Sequence, residues 1–139
     1  MQYDDSNIFA CILRGELPCH KVFEDEEFLV LMDIMPQAPG HTLILPKMRV
    51  VTILDAQPAT LANMMKLAQR VAKAQISAFA AEGTTVFIYS GEAGGQSVFH
   101  LHLHVVPRKR GVNLIQHGAK REKDKMLAQH ADRIRTHLN

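Results

Sequence analysis

The sequence predicts an α+β fold in which an antiparallel sheet carries helices on part of its surface. Three observations lead there. Five short segments are rich in aliphatic, aromatic and β-branched residues and are bounded by turn formers. One long run and a second near the C-terminus switch to the three-and-four spacing of a helix. The last two strand segments are joined by about eight loop residues with no helix between them, which makes a hairpin and therefore antiparallel pairing. Such a set of elements packs as an α+β layer arrangement.

The elements follow in order. Ser6 is placed to cap a short helix that runs to about Arg14 and is ended by Gly15 and Pro18. HKVFEDEEFLVLMD reads as two strands around a polar turn at residues 24 to 27. MPQAPG is a loop held by Pro36, Pro39 and Gly40, and HTLILP is a third strand stopped at Pro46. From about Pro58 to Ala81 the positions Leu61, Met64, Met65, Ala68, Val71, Ala72, Ile76 and Phe79 mark one apolar helix face. TTVFIY is the fourth strand, SGEAGGQS a glycine-rich loop, and VFHLHLHVVP the fifth strand. The tail from about Arg121 to Leu138 forms a helix with Met126, Leu127, Ala131, Ile134 and Leu138 on its apolar side.

Composition bounds the function. A chain of 139 residues is read as one domain, 1–139, large enough to bury a core without disulfides. A net charge of only +2 gives no reason to expect nucleic acid or an anionic membrane as partner. The two cysteines, Cys11 and Cys19, make no disulfide framework and suit a reducing compartment. The N-terminus MQYDDSN is acidic and no apolar run follows it, so no signal peptide is expected, and no window approaches a membrane span. A cytoplasmic protein is the expectation.

The informative stretch is FHLHLHVVPR, where His100, His102 and His104 alternate with apolar residues. On a strand all three imidazoles share one face. Mere surface decoration does not account for so clean an alternation. A metal site is a second reading, but the outer two histidines stand roughly 13 Å apart at about 3.3 Å per residue, so a metal needs ligands from elsewhere. The third reading is nucleophilic catalysis, in which a neutral imidazole attacks phosphorus or carbon. That chemistry needs donors for the charge that develops on the electrophile. Gly91, Gly94 and Gly95 allow backbone N–H groups to converge on an anion, and Ser97 adds a hydroxyl beside them.

GQSVFHLHLHVVPR resembles the signature of the histidine triad family. IFACILRGELPCHKVFEDEEFLVLMDIMPQAPGHTLILPK is similar to the family's N-terminal half almost throughout. The resemblance covers about residues 6 to 110 as the core, and loosely the helical extension at about 120 to 139. It is nearest to the small nucleotide-binding branch common in bacteria. The resemblance implies a five-stranded antiparallel sheet with two main helices, a homodimer, a purine nucleotide pocket, and hydrolysis or transfer at the α-phosphorus through a nucleotidyl-histidine.

Residue roles carry over one at a time. His102 matches the family nucleophile. His104 matches a histidine that contacts the phosphate, and His100 the one whose backbone carbonyl orients the nucleophile. His41, ending the APGH loop, matches the fourth histidine of the site. Gly95 and Ser97 match the backbone and hydroxyl donors at the phosphate and leaving group, and Gln96 between them is placed with the nucleotide-binding residues. Asp33 matches the acidic residue that accepts from the ribose hydroxyls. Ile8, Phe9, Ile12, Leu31 and Ile34 match the apolar wall of the base pocket.

Two departures stand out. The position eleven residues before His100, where relatives often carry Asn or Gln toward the nucleotide, is Tyr89. Many bacterial relatives also build a structural zinc site from two cysteines near the N-terminus, a histidine after the third strand and the first triad histidine. The matching positions here are Asn7, Ala10 and Arg49. No structural zinc and no required cofactor are therefore expected. The resemblance implies a purine nucleoside phosphoramidase-like hydrolase. The alternatives are a diadenosine polyphosphate hydrolase, against which Asp33 and Tyr89 argue, and a purine nucleotide-binding partner protein without turnover. The basic stretch KRGVNLIQHGAKREK reads as a solvated loop rather than a nucleic-acid site.

Overall fold

Asp25 makes the first reversal of the chain. Its carboxylate accepts from the N–H groups of Glu27 at 2.8 Å and Phe28 at 2.7 Å, an Asx-type turn. It joins β1 (Lys21–Glu24) to β2 (Phe28–Met32). The computed structural model describes residues 2–139. β3 (Thr42–Pro46), β4 (Gly83–Phe87) and β5 (Leu103–Arg108) complete one antiparallel sheet in the order β1-β2-β3-β5-β4. Register pairs Val30 with Ile44, Ile44 with Leu103, and Val86 with Val105.

The strands in the middle are buried on both faces, and alternation sorts their side chains into two layers. Val30, Met32, Ile44, Leu103 and Val105 point into a core against α2 (Pro58–Phe79) and α3 (Asp124–His137). Leu29, Leu31, Leu43 and Leu45 point the other way, against Phe9 of α1 (Ile8–Leu13). Each fully buried aliphatic side chain contributes about 1.5–3 kcal/mol. The histidines lie on the α1 side, because they alternate with Leu101, Leu103 and Val105 of the main core.

Helix α2 starts with Pro58, whose fixed φ suits a first helical position. Its buried stripe is centred on Met64, Leu67, Ala68, Val71, Ala74, Gln75, Ala78 and Phe79. Gln75 is wholly buried, and the two N–H groups of its Nε2 are shared among Gly40 O at 3.0 Å, Thr42 Oγ1 at 3.1 Å and Val105 O at 2.9 Å. Gly40 turns the chain into β3 with φ +90°, and a Cβ there would stand 2.6 Å from the Phe79 ring.

Several sequence expectations shift. The cap of α1 is Asn7, whose Oδ1 accepts from Ala10 N–H at 2.9 Å; Ser6 hydrogen-bonds Asp4 instead. Met65, Ile76 and Met126 are exposed at their helix surfaces rather than buried. β5 begins at Leu103, not at Val98, so the β4–β5 connection spans residues 88–102. The reason is that Leu101 N–H bonds Val50 O at 2.8 Å, beyond the end of β3, rather than a sheet partner. His100 and His102 thus precede the strand, yet keep its alternation. No described helix is long and apolar enough to cross a membrane. Cys11 and Cys19 are free thiols.

Candidate active site

A cavity of about 400 Å³ opens on the α1 side of the sheet. Ile8, Phe9, Ile12, Leu31 and Ile34 form its apolar wall, with Leu43 and Val98 added. Asp33, Ser97, His102, His104 and His117 supply its polar groups. His41 and His100 support it from behind.

The tautomers of the three central imidazoles follow from their partners. His102 Nδ1 lies 2.6 Å from His100 O. A carbonyl only accepts, so Nδ1 carries the proton and Nε2 keeps a free lone pair. The Phe9 ring packs edge-on against His102 with centroids 4.8 Å apart and holds its plane. His41 Nδ1 accepts from Gln37 N–H at 3.0 Å. Its proton is therefore on Nε2, which donates to His104 Nδ1 at 2.9 Å. His104 in turn carries its proton on Nε2, and that buried N–H has no partner among the described residues. Phe87 stacks on the His104 ring at 4.3 Å and fixes its direction. An unpaired buried donor costs about 1–3 kcal/mol, so an acceptor brought by a ligand gains that much.

Burial pushes all three rings toward neutrality. His102 falls below the ordinary imidazole value of 6.5 through desolvation, against the raising effect of the His100 carbonyl. His41 drops to about 4 for the same first reason, with Asp33 pulling the other way. His104 is driven lower still by desolvation and by its histidine neighbours. Asp33 is opposite in sense. Burial raises its carboxyl, but the His117 hydrogen bond, the His41 charge and Met35 N–H outweigh that and hold it below its usual value.

Asp33 is fully engaged. Oδ1 accepts from Met35 N–H at 2.8 Å, and Oδ2 accepts from His117 Nε2 at 3.1 Å. His117 belongs to the stretch before α3, which runs along the DIMPQAPGH loop. Ile115 N–H bonds Gln37 O at 3.0 Å and Glu122 N–H bonds Ile34 O at 2.8 Å. Sequence reasoning missed His117; it sat in a basic loop read as solvated, with no local pattern to mark it.

The glycine loop is built differently from expectation. Gly94 N–H bonds Gly91 O, Gly95 N–H bonds Glu92 O, and Gln96 N–H bonds Gly91 O. Gly91 N–H goes to Gln96 Oε1 at 2.8 Å. The amides of Gly91, Gly94, Gly95 and Gln96 are thus engaged within the loop itself, around a 3₁₀ turn (Glu92–Gly94). Gln96 is a brace rather than a nucleotide contact: its Nε2 donates to Val51 O at 2.8 Å and Val98 O at 3.0 Å. Gly95, at φ +100°, lies against the Tyr89 ring, which also stands 5.5 Å from His104. Neither Gly95 nor Tyr89 lines the cavity. Ser97 does, at its rim.

Two possible metal sets can be judged on their donors. Asp33, His41 and His104 place ligand atoms within 4.8 Å of one another. Coordination through His41 Nε2 would move its proton onto Nδ1, against Gln37 N–H, so this trio fits a hydrogen-bond relay better than a metal. The structural zinc set does not fit either. Asn7 caps α1, Ala10 has no donor, and Arg49 pairs with Asp5 at 2.7 Å. Both ring nitrogens of His100 are taken, Nε2 by Pro46 O at 2.8 Å and Nδ1 by Tyr3 Oη at 2.5 Å.

Comparison with known proteins places this geometry. A family model described as the HIT domain matches residues 14–111. The chain is 32% identical over 137 residues to the adenylylsulfatase HINT3 of Arabidopsis thaliana, covering 94% of this chain and 68% of that one. A crystal structure of a HIT-like protein from Bartonella henselae, with an unknown ligand, superposes with a TM-score of 0.95 at 42% identity, covering 99% of this chain and 100% of the other. A zinc-bound histidine triad family protein from Mycobacterium smegmatis gives 0.86 at 38% identity, over 96% and 93%. With the matched segment spanning most of the sequence and the triad on it, the chain belongs to the histidine triad, or HIT domain, family.

Proposed function

We propose that the protein hydrolyses purine nucleoside 5′-phosphoramidates at the α-phosphorus through a nucleotidyl-His102 intermediate. One observation carries this reading: His102 lines the cavity with its Nδ1 proton held by His100 O, which leaves Nε2 a lone pair, and the His104 ring lies beside it with centroids 5.0 Å apart. The first is a nucleophile that needs no deprotonation. The second is a donor for a phosphoryl oxygen.

In the first step the His102 Nε2 lone pair forms a bond to phosphorus and the P–N bond breaks. The electron pair leaves on nitrogen, which takes a proton by way of the Ser97 hydroxyl at the rim, replenished from water. His104 Nε2–H donates to the phosphoryl oxygen throughout. The His102 Nδ1–H bond to His100 O stabilises the charged imidazole of the intermediate. Water then attacks phosphorus and gives up a proton to solvent by way of the same Ser97 hydroxyl, the P–Nε2 bond breaks with its electron pair returning to Nε2, and the nucleoside monophosphate departs. The base lies between Ile8, Phe9, Ile12, Leu31 and Ile34. The ribose hydroxyls reach Asp33 Oδ2 by displacing His117, whose side chain is 38% exposed.

The test is release of AMP from adenosine 5′-phosphoramidate with a chelator present. Adenylyl sulfate is assayed beside it, because the Arabidopsis relative bears that activity in its name. Preference for the sulfate would keep the nucleophile and change the leaving group. AMP binding without turnover of phosphoramidate, adenylyl sulfate or diadenosine polyphosphates would replace the enzyme reading with a binding one.

The depressed His102 sets the pH dependence. The imidazole is neutral, and so nucleophilic, above its lowered pKa; protonation on the way down removes the lone pair. kcat/KM should therefore be level at pH 8 and lose activity on the acid side with a midpoint below the ordinary imidazole value of 6.5. A limb centred above pH 7 would contradict a buried neutral nucleophile.

Tag-free protein should contain no stoichiometric zinc, because the one lone pair of His100 is taken by the Tyr3 hydroxyl and Asn7, Ala10 and Arg49 fill the other positions. Elemental analysis showing one zinc per chain would refute this. A homodimer is also proposed. β4 ends the sheet, and beside it Met65, Ala72 and Val86 line an open groove that a second copy would cover. Light scattering coupled to size exclusion should report twice the 15.6 kDa chain mass.

A further inference from the structure

His100 is wholly buried, yet its ring never reaches the cavity. What it contributes is its backbone carbonyl, the acceptor that fixes the tautomer and aim of His102. That carbonyl is only as well placed as the ring that anchors the residue. The ring is pinned at both ends. Nε2–H donates to Pro46 O at the end of β3 at 2.8 Å, so Nδ1 is a bare acceptor. The group that meets it is the hydroxyl of Tyr3, 97 residues away in sequence, at 2.5 Å.

Tyr3 is itself held. Its ring stands edge-on to His100 with centroids 5.6 Å apart. The Arg49 guanidinium lies 5.2 Å over the Tyr3 ring, a cation–π contact, and is tied down by Asp5 at 2.7 Å. Arg49 occupies one of the positions where zinc-binding relatives carry a ligand. The place that the metal would take at His100 is filled by a hydroxyl and a stacked guanidinium.

We propose that Tyr3 is a positioning residue for the nucleophile: its hydroxyl, braced by Arg49, locks the His100 ring and thereby the carbonyl that aims His102. Its action is on the transition state rather than on nucleotide binding, since Tyr3 is not on the cavity wall. This rests on the hydrolase reading for its kinetic test but not for its spectroscopic one.

The decisive variant is Tyr3→Phe, which removes one oxygen and keeps the ring under Arg49. With adenosine 5′-phosphoramidate, kcat should fall about tenfold, the scale of losing an outer hydrogen bond to a site residue, with KM unchanged within about twofold. In ¹⁵N-labelled protein, the His102 Nδ1–H proton, sheltered by its bond to His100 O, should broaden or exchange faster in Tyr3→Phe than in wild type. Arg49→Met, which keeps the hydroxyl and loses the brace, should shift both readouts in the same direction by less. Unchanged kcat with an unchanged His102 proton in a folded Tyr3→Phe protein would overturn the proposal. A rise in KM alone would also overturn it, making Tyr3 part of the pocket frame. If wild type shows no turnover of any nucleotide substrate, the hydrolase reading fails, and the His102 proton alone decides for or against the Tyr3 lock.

Discussion

On the proposed hydrolase reading, His102→Asn should leave a folded protein with no measurable turnover. The side chain is 7% exposed, and asparagine is smaller but keeps an N–H that can reach His100 O, so the loop before β5 retains its shape. What disappears is the Nε2 lone pair, and no neighbour can replace it. His104 has its proton on Nε2, and its Nδ1 is occupied by His41. His100 has both nitrogens engaged. Loss of a covalent nucleophile costs on the order of 10⁴ or more in kcat. The check is AMP release by wild type and variant in parallel, with a thermal melt of each. Turnover within about tenfold of wild type would mean that another group, or water itself, attacks phosphorus.

Gly40→Ala should cost about 2–5 kcal/mol of folding stability, combining a strained positive φ with overpacking. At φ +90° an alanine is unfavourable whatever the space, and here there is none. The new methyl would stand 2.6, 2.9 and 3.0 Å from three atoms of the Phe79 ring. That ring cannot slide easily, because His130 packs edge-on against it at 5.1 Å and the Arg133 guanidinium lies 4.4 Å over it. Gly15→Ala is the control: its φ is +79° but nothing lies within 4 Å of a Cβ there, so it pays the strain alone. Urea denaturation of both variants separates the two costs. Equal losses would show that Phe79 yields. Gly40→Ala should also lower activity where it remains folded, since the turn it forms delivers His41.

Much of this fold was legible in the sequence. The strands around Val30 and Ile44 announced themselves as short apolar runs bounded by Asp25, Pro39 and Pro46, and alternation placed the histidines opposite Leu103 and Val105. The cavity wall was legible through resemblance: Phe9, Ile12, Leu31 and Ile34 meet there as expected. Two partners were not legible. Tyr3 meets His100 across 97 positions and His117 meets Asp33 across 84, and neither pair leaves a local period or motif. The glycine loop shows a subtler limit. Its composition announced a tight turn, but composition does not say which amides that turn consumes, and here it uses those of Gly94, Gly95 and Gln96 on itself.

Gln75 has a consequence for how the molecule breathes. Its one amide nitrogen ties the Gly40 turn, the first residue of β3 and the middle of β5 to the C-terminal third of α2. The turn bearing His41 and the strand bearing His104 therefore cannot open as a flap while the core stays shut. Local opening is cooperative within such hydrogen-bonded units, and slow amide exchange marks their limits. The amides of Thr42, His104 and Val105 should exchange together with those of α2 around Gln75, at the rate of global unfolding, while the His117 stretch exchanges much sooner. The rear of the site is thus expected to belong to the slowest-opening unit of the protein, and its rim to open first.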